Sequence, residues 1–97
     1  MSEVELYRLK GEALLGGAAP FEAEAQACFD TAIMVAREQE AKSWELRATM
    51  SLARLLASQG RRDDARAMLS EIYNWFAEGF DTADLKDAKA LLDQLGA

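Results

Sequence analysis

SWELRATMSLARLLASQGRRDDARAMLSEIY, residues Ser43 to Tyr73, decides the fold of this chain, because it reads as two helices joined by one tight turn at Gly60. Before the turn, Leu46, Met50, Ala53 and Leu56 share one stripe, and Ala48, Leu52 and Leu55 form another. A helix apolar on two sides needs cover on both, so this one is expected to be a middle layer. After the turn, Ala65, Met68, Leu69 and Ile72 repeat at helical spacing, while Arg61, Arg62, Asp63, Asp64 and Arg66 keep the first turn in water.

Both flanks of the hairpin carry the same kind of pattern. Ser2 and Glu5 have the spacing of a capping box ahead of Leu6, Leu9, Ala13 and Leu14, which predicts a first helix over about Glu3 to Leu15. Gly16, Gly17 and Pro20 break it, Pro20 being suited to the first turn of the next helix. The second helix is expected from Phe21 to about Ala41, with Ala25, Cys28, Phe29, Ala32, Ile33 and Ala36 inward. Between Glu38 and Ser43 the pattern turns polar with neither glycine nor proline, and Ser43 is the expected cap of the third helix. The fourth is expected to run from about Arg62 to Glu78 and end at Gly79, with Phe80 as the apolar contact of that cap. Asp81 or Thr82 then caps a fifth helix, whose inner stripe is Leu85, Ala88, Leu91, Leu92 and Leu95.

The chain has 97 residues, enough for one domain over 1–97 with a modest core. Half of them are hydrophobic, and no alternating apolar and polar run appears, so an ordered all-α protein is expected. The net charge of -6 disfavours nucleic acid and anionic membrane surfaces as partners. No apolar run approaches the roughly twenty residues of a membrane span, and no signal peptide is evident, so a cytoplasmic location is expected. Cys28 is the single cysteine, which fits a reducing compartment. With no histidine, Ser/His/Asp triads, Cys/His dyads and His-ligated zinc are not expected.

An internal repeat links the two halves. Ala25, Phe29 and Ala32 match Ala65, Leu69 and Ile72 at a separation of 40 residues, and Gly11 and Leu14 match Ala53 and Leu56 at 42. A small residue at a helix crossing, a larger apolar one a turn later, and a glycine-bounded turn between helices resemble the tetratricopeptide hairpin. The resemblance rests on Gly11, Leu14, Ala25, Phe29 and Ala32, and again on Leu52, Ala53, Leu56, Gly60, Ala65 and Leu69. The repeat is longer than the usual length of about 34 residues, and no proline closes either second helix. ELYRLKGEALL, AKSWELRATMSLARL and GRRDDARAMLSEIYNWFAEGFDTADLKDAKALLDQL are moreover similar to the C-terminal ends of large bacterial regulators. Those proteins join a nucleotide cyclase or a DNA-binding activator domain to an ATPase module and then to tetratricopeptide-like repeats. The likeness implies right-handed, antiparallel helix hairpins, two of them plus a C-terminal capping helix. It further implies that this chain is a terminal fragment of such a regulator or a stand-alone relative. No phosphate loop of the GxxxxGK[ST] type is present, so the parent's catalysis is not expected here.

In solenoids of this kind the first helix of each hairpin lines the concave face. The candidate contacts are therefore Arg8, Glu12 and Leu15 on the first helix and Arg47, Met50, Arg54 and Ser58 on the third. Arg47 and Arg54 lie seven residues apart on one face and could clamp a carboxylate or an acidic peptide. The plainer reading is that both are solvated or paired with Glu45, Glu40 or Asp64. Trp44 is a candidate interface anchor, although it reads equally well as an anchor of the helix junction itself. Trp75, Phe76 and Phe80 read first as core, although adjacent aromatics point about 100 degrees apart, which leaves one of Trp75 and Phe76 available to a partner. Cys28 reads as a structural thiol. The paired acids Glu22/Glu24, Glu38/Glu40 and Asp63/Asp64 do not share a face, so no metal is assigned, and no cofactor is expected.

Two functions fit these readings, and an enzyme fits neither, because no nucleophile, base and charge stabiliser come together. The first is a non-catalytic protein–protein interaction scaffold of a bacterial signalling or transcription regulator. Since solenoids need about three or more repeats to cover their faces, self-association as a homodimer or packing on upstream repeats is expected with it. The alternative is a ligand-sensing regulatory domain that holds a small anionic molecule between helices one and three with Arg8, Arg47 and Arg54.

Overall fold

The computed structural model describes residues 2–17, 21–76 and 83–96. Five α-helices follow in order: α1 (Glu3–Leu15), α2 (Glu22–Glu38), α3 (Lys42–Ser58), α4 (Arg62–Trp75) and α5 (Ala83–Gly96). There is no strand among the described residues, and no helix is long and apolar enough to cross a membrane.

Each helix packs on the next, and α3 touches all four of the others. Its two apolar stripes are the reason: ten of its 17 residues are buried, including the polar Glu45, Thr49 and Ser51. Among the described residues the backbones of α1 and α5 do not approach one another, nor do those of α2 and α4, so α3 is the shared floor between two pairs of separated helices. The core runs through this floor, with Phe29, Leu46 and Leu69 as its largest fully buried side chains.

Two of the connections are the same turn. At the end of α2, Ala41 N–H donates to the Ala36 carbonyl at 2.8 Å and Glu40 N–H to Arg37 at 3.1 Å. At the end of α3, Arg61 N–H donates to Leu56 at 2.8 Å and Gly60 N–H to Ala57 at 3.1 Å. This 6→1 and 5→2 pairing is the Schellman motif, whose penultimate residue sits in the left-handed region. Gly60 does so at φ +80 without a Cβ to object, and Glu40 does so at φ 54. The glutamate hides the boundary in the sequence. The helix cap therefore falls on Ala41 rather than Ser43, α2 stops at Glu38, and Ser43 lies in the first turn of α3. Neither Ala41 nor Arg61 caps through its side chain; each supplies only its carbonyl, to Glu45 and Ala65.

The identical turns make α2, α3 and α4 start 20 residues apart, at 22, 42 and 62, which is half of the 40-residue repeat. α4 ends at Trp75, capped by Phe76, one turn earlier than its sequence suggests. Pro20, Gly79, Phe80, Asp81 and Thr82, to which cap or turn roles were assigned, lie outside the described residues.

Candidate functional site

α1, α3 and α5 present the surface that the seven candidate residues were expected to line. At the end formed by the start of α1 and α3, that surface is closed by charge pairing. Arg8 Nε donates to Glu5 Oε2 at 3.0 Å, its Nη2 pairs with the other carboxylate oxygen, and its Nη1 reaches Ser51 Oγ at 3.4 Å. Arg47 Nη1 lies 3.8 Å from Glu5, and its Nη2 donates to Asp84 at 3.1 Å. The Arg47 guanidinium also lies 4.9 Å from the centre of the Trp44 ring, a cation–π distance. One row of charges, Arg8–Glu5–Arg47–Asp84, thus ties α1 to α3 and α3 to α5.

Hydrogen bonding from Arg8 holds the Glu5 carboxyl below its ordinary value; burial opposes this, and the charges of Arg8 and Arg47 reinforce it. The Arg8 guanidinium is raised in turn, first by its hydrogen bond to Glu5. The spacing of Ser2 and Glu5 predicts a capping box. The backbone N–H of Glu5 does donate to Ser2 Oγ at 3.3 Å, but its carboxylate is turned to the arginines.

Of the partners expected for Arg47, Glu45 and Asp64 are engaged elsewhere. Glu45 is buried and receives Arg37 at 3.1 Å and Lys42 at 3.4 Å, and Asp64 receives Arg61 at 3.0 Å. Arg47 pairs instead with two carboxylates that are distant in sequence. Met50 is 4% exposed and belongs to the core, so it offers nothing to a partner. Trp44 is half-buried against the core, beneath Arg47.

Glu12, Arg54 and Ser58 remain at the other end and are brought together. They line an open groove of about 300 Å³ between α1 and α3, together with Leu15, Glu22 and Ser51. On its α5 side, Arg54 faces a second depression lined by Asp87, Ala90, Leu91 and Gln94. Arg54 is exposed and makes no ion pair among the described residues. The Ser58 hydroxyl donates to the Leu55 carbonyl at 2.6 Å. Three carboxylates, Glu12, Glu22 and Asp87, therefore border the two depressions that Arg54 lines. Neither Arg8 nor Arg47 lines either depression beside Arg54.

A second groove lies on the opposite side of α3, between α2 and α4. Ile33 and Met34 form one wall, Met68 and Trp75 contribute to the other, and Thr49 and Leu52 form the floor. Trp75 is 58% exposed, against its reading as core; the Lys42 ammonium stands 5.3 Å from its ring centre, and Phe76 meets it edge-on at 5.0 Å. Phe76 is the one of this aromatic pair that packs on the core. Met34 is 53% exposed; being apolar yet off the inward stripe of α2, it marks this groove in the sequence, as does the pairing of Trp75 with Phe76. Cys28 is half-buried.

Among the described residues no three of the His, Cys, Asp and Glu side chains gather in a way that could hold a metal ion. The chain matches no family model, no curated protein and no solved structure.

Proposed function

We propose that this chain is a non-catalytic protein–protein interaction scaffold of a bacterial signalling or transcription regulator, built as right-handed tetratricopeptide-like hairpins. The observation that carries the reading is Arg54. Of the three arginines on the α1–α3–α5 side, Arg8 and Arg47 are held by carboxylates of the chain, whereas Arg54 stands in an open groove between separated helices. Such a groove suits a segment of a partner protein. The flanking Glu12, Glu22 and Asp87 outnumber Arg54, so a segment carrying a lysine or arginine fits better than the acidic peptide that the arginines alone suggested. The same excess of negative charge, and the engagement of Arg8 and Arg47, weigh against a small anionic ligand. Self-association belongs to the same reading, since Leu6 and Leu9 on the outer side of the first hairpin are exposed at 58% and 41%.

Chemical-shift mapping with a set of short basic and acidic peptides tests the groove. Basic peptides are expected to perturb Glu12, Arg54, Ser58 and Asp87, and the Glu12→Lys/Asp87→Lys variant is expected to lose the effect. Shifts confined to acidic or small anionic compounds would favour the sensing domain. No shifts on this face with any peptide would sink the scaffold reading.

A further inference from the structure

The outer side of α1 carries more than exposed leucine. Val4 and Gly11 are buried against the rest of the protein, while Leu6, Leu9 and Ala13, on the opposite side of the helix, face out. By the 42-residue offset of the repeat, these three positions correspond to Ala48, Ser51 and Leu55 of α3, which are buried at 0%, 1% and 3%. Ser51 meets Arg8 of α1, so on α3 this side is the one that faces the first hairpin. The stripe on α1 is thus a helix-packing surface without its cover.

Charge indicates what covers it. Glu3 and Lys10 are exposed, seven residues apart on one flank of the stripe, opposite in sign, and in no ion pair among the described residues. Glu5 and Glu12 lie on the other flank, where Glu5 is already neutralised by Arg8 and Arg47. When two helices pack antiparallel about a two-fold axis, each flank meets its own copy in reverse order. Layers that set Leu6 against Leu9 of a second copy then place Glu3 against that copy's Lys10, and Lys10 against its Glu3. The flank is complementary to itself reversed.

We propose that the Leu6–Leu9–Ala13 face of α1 is the dimer interface of this chain, docking antiparallel on the same face of a second copy, with two symmetry-related Glu3–Lys10 pairs fixing the register. This deepens the self-association in the scaffold reading; Glu12 borders both the stripe and the groove around Arg54, but Glu3 and Lys10, the residues that test the dimer, line neither depression beside Arg54, so failure of dimerisation is distinguishable from failure of peptide binding. The contact is small and belongs to the weak class of interfaces, with a dissociation constant on the order of tens of micromolar.

Sedimentation equilibrium of the 97-residue chain from about 1 µM to 1 mM reads this directly. The wild type is expected to pass from monomer to dimer within the range. Lys10→Glu and Glu3→Lys each place like charges at both pairs and should weaken association at least about tenfold, more strongly at low salt. The double reversal E3K/K10E should restore the wild-type constant, and an equimolar mixture of the two single variants should associate more tightly than either does alone. Circular dichroism on each variant separates misfolding from lost contact, and the mixture is informative because both partners carry the same single changes. A wild type that stays monomeric to 1 mM overturns the proposal. So does a dimer that Lys10→Glu leaves unchanged, which would move the contact to another face such as the groove beside Trp75, or a double reversal and mixture that both fail to associate.

Discussion

A Cβ built on Gly11 would lie 2.5 Å from Cε1 of Phe29, inside the distance any real side chain keeps, so α1 and α2 cross where only glycine fits. The equivalent positions in the second hairpin are Ala53 and Leu69, both fully buried. By the repeat, the larger ring goes with no side chain and the smaller leucine with a methyl group. The two hairpins solve one packing problem with two volume-matched pairs.

Gly11→Ala is therefore expected to destabilise by about 1–2 kcal/mol, since overpacking a buried ring outweighs the gain of about 1 kcal/mol in helix propensity. Phe29→Leu on its own removes volume and destabilises as well. The double variant Gly11→Ala/Phe29→Leu recreates the Ala53–Leu69 pair and is expected to be more stable than the sum of its parts by 1 kcal/mol or so. Denaturant unfolding of the four proteins checks this, and strict additivity would contradict the volume-matching account.

Glu40 stands where the matching turn has Gly60, in a left-handed conformation that is strained for a residue with a Cβ. Glu40→Gly is expected to stabilise by about 0.5–1 kcal/mol, the strain relieved being partly offset by the freer unfolded chain. In a domain of this size that is a rise in melting temperature of about 2–6 °C. A fall on heating scans would mean that the Glu40 side chain makes a contact worth more than its backbone strain.

Breaking the link from Arg47 to Asp84 should loosen α5 more than the whole domain. The side chains are 37% and 29% exposed, so the pair is screened, and Arg47→Ala is expected to lower global stability by about 0.5–1 kcal/mol. Hydrogen exchange in α5 should accelerate in both Arg47→Ala and Asp84→Asn, with α2 little affected. Equal acceleration in every helix would assign Arg47 to the core fold rather than to the docking of α5.

Glu5 gives stability a defined pH dependence. Its carboxyl is held below the ordinary value when folded, so the folded state releases this proton more readily than the unfolded state does. The associated stabilisation is full above the unfolded value, near 4.5, and is lost as pH falls through the lower folded value. The difference in stability between the wild type and Glu5→Gln should accordingly be greatest near neutral pH and shrink on acidification below about pH 5. A difference that grows on acidification would contradict the sign of the Arg8–Glu5 interaction.

What was legible in the sequence was carried by local pattern. The spacing of Leu46, Met50, Leu52 and Leu56 marked α3 as the middle layer, Gly60 marked its end, and Ser2 and Glu5 set the start of α1 where the structure has it. These readings hold because burial periodicity and left-handed turns leave their trace within a few residues of chain. The end of α2 was not legible, because Glu40 carries out a glycine's task without a glycine's signature.

The site depended on distances that no local pattern encodes. That Arg8, Glu12, Arg47, Arg54 and Ser58 share one side of the protein followed from helical spacing and the repeat. Which of them is taken and which is open did not, because Arg47 meets Glu5 and Asp84, 42 residues before it and 37 after it. The same holds for Met50, apolar and therefore ambiguous between core and contact, and for Trp75, which borders a groove formed only once α2 and α4 are held apart. By itself the sequence determined five helices, their order and the faces that must be covered. The tertiary structure alone decided which charges neutralise one another across helices, because that pairing depends on how closely α1, α3 and α5 approach. It left Arg54 in the open.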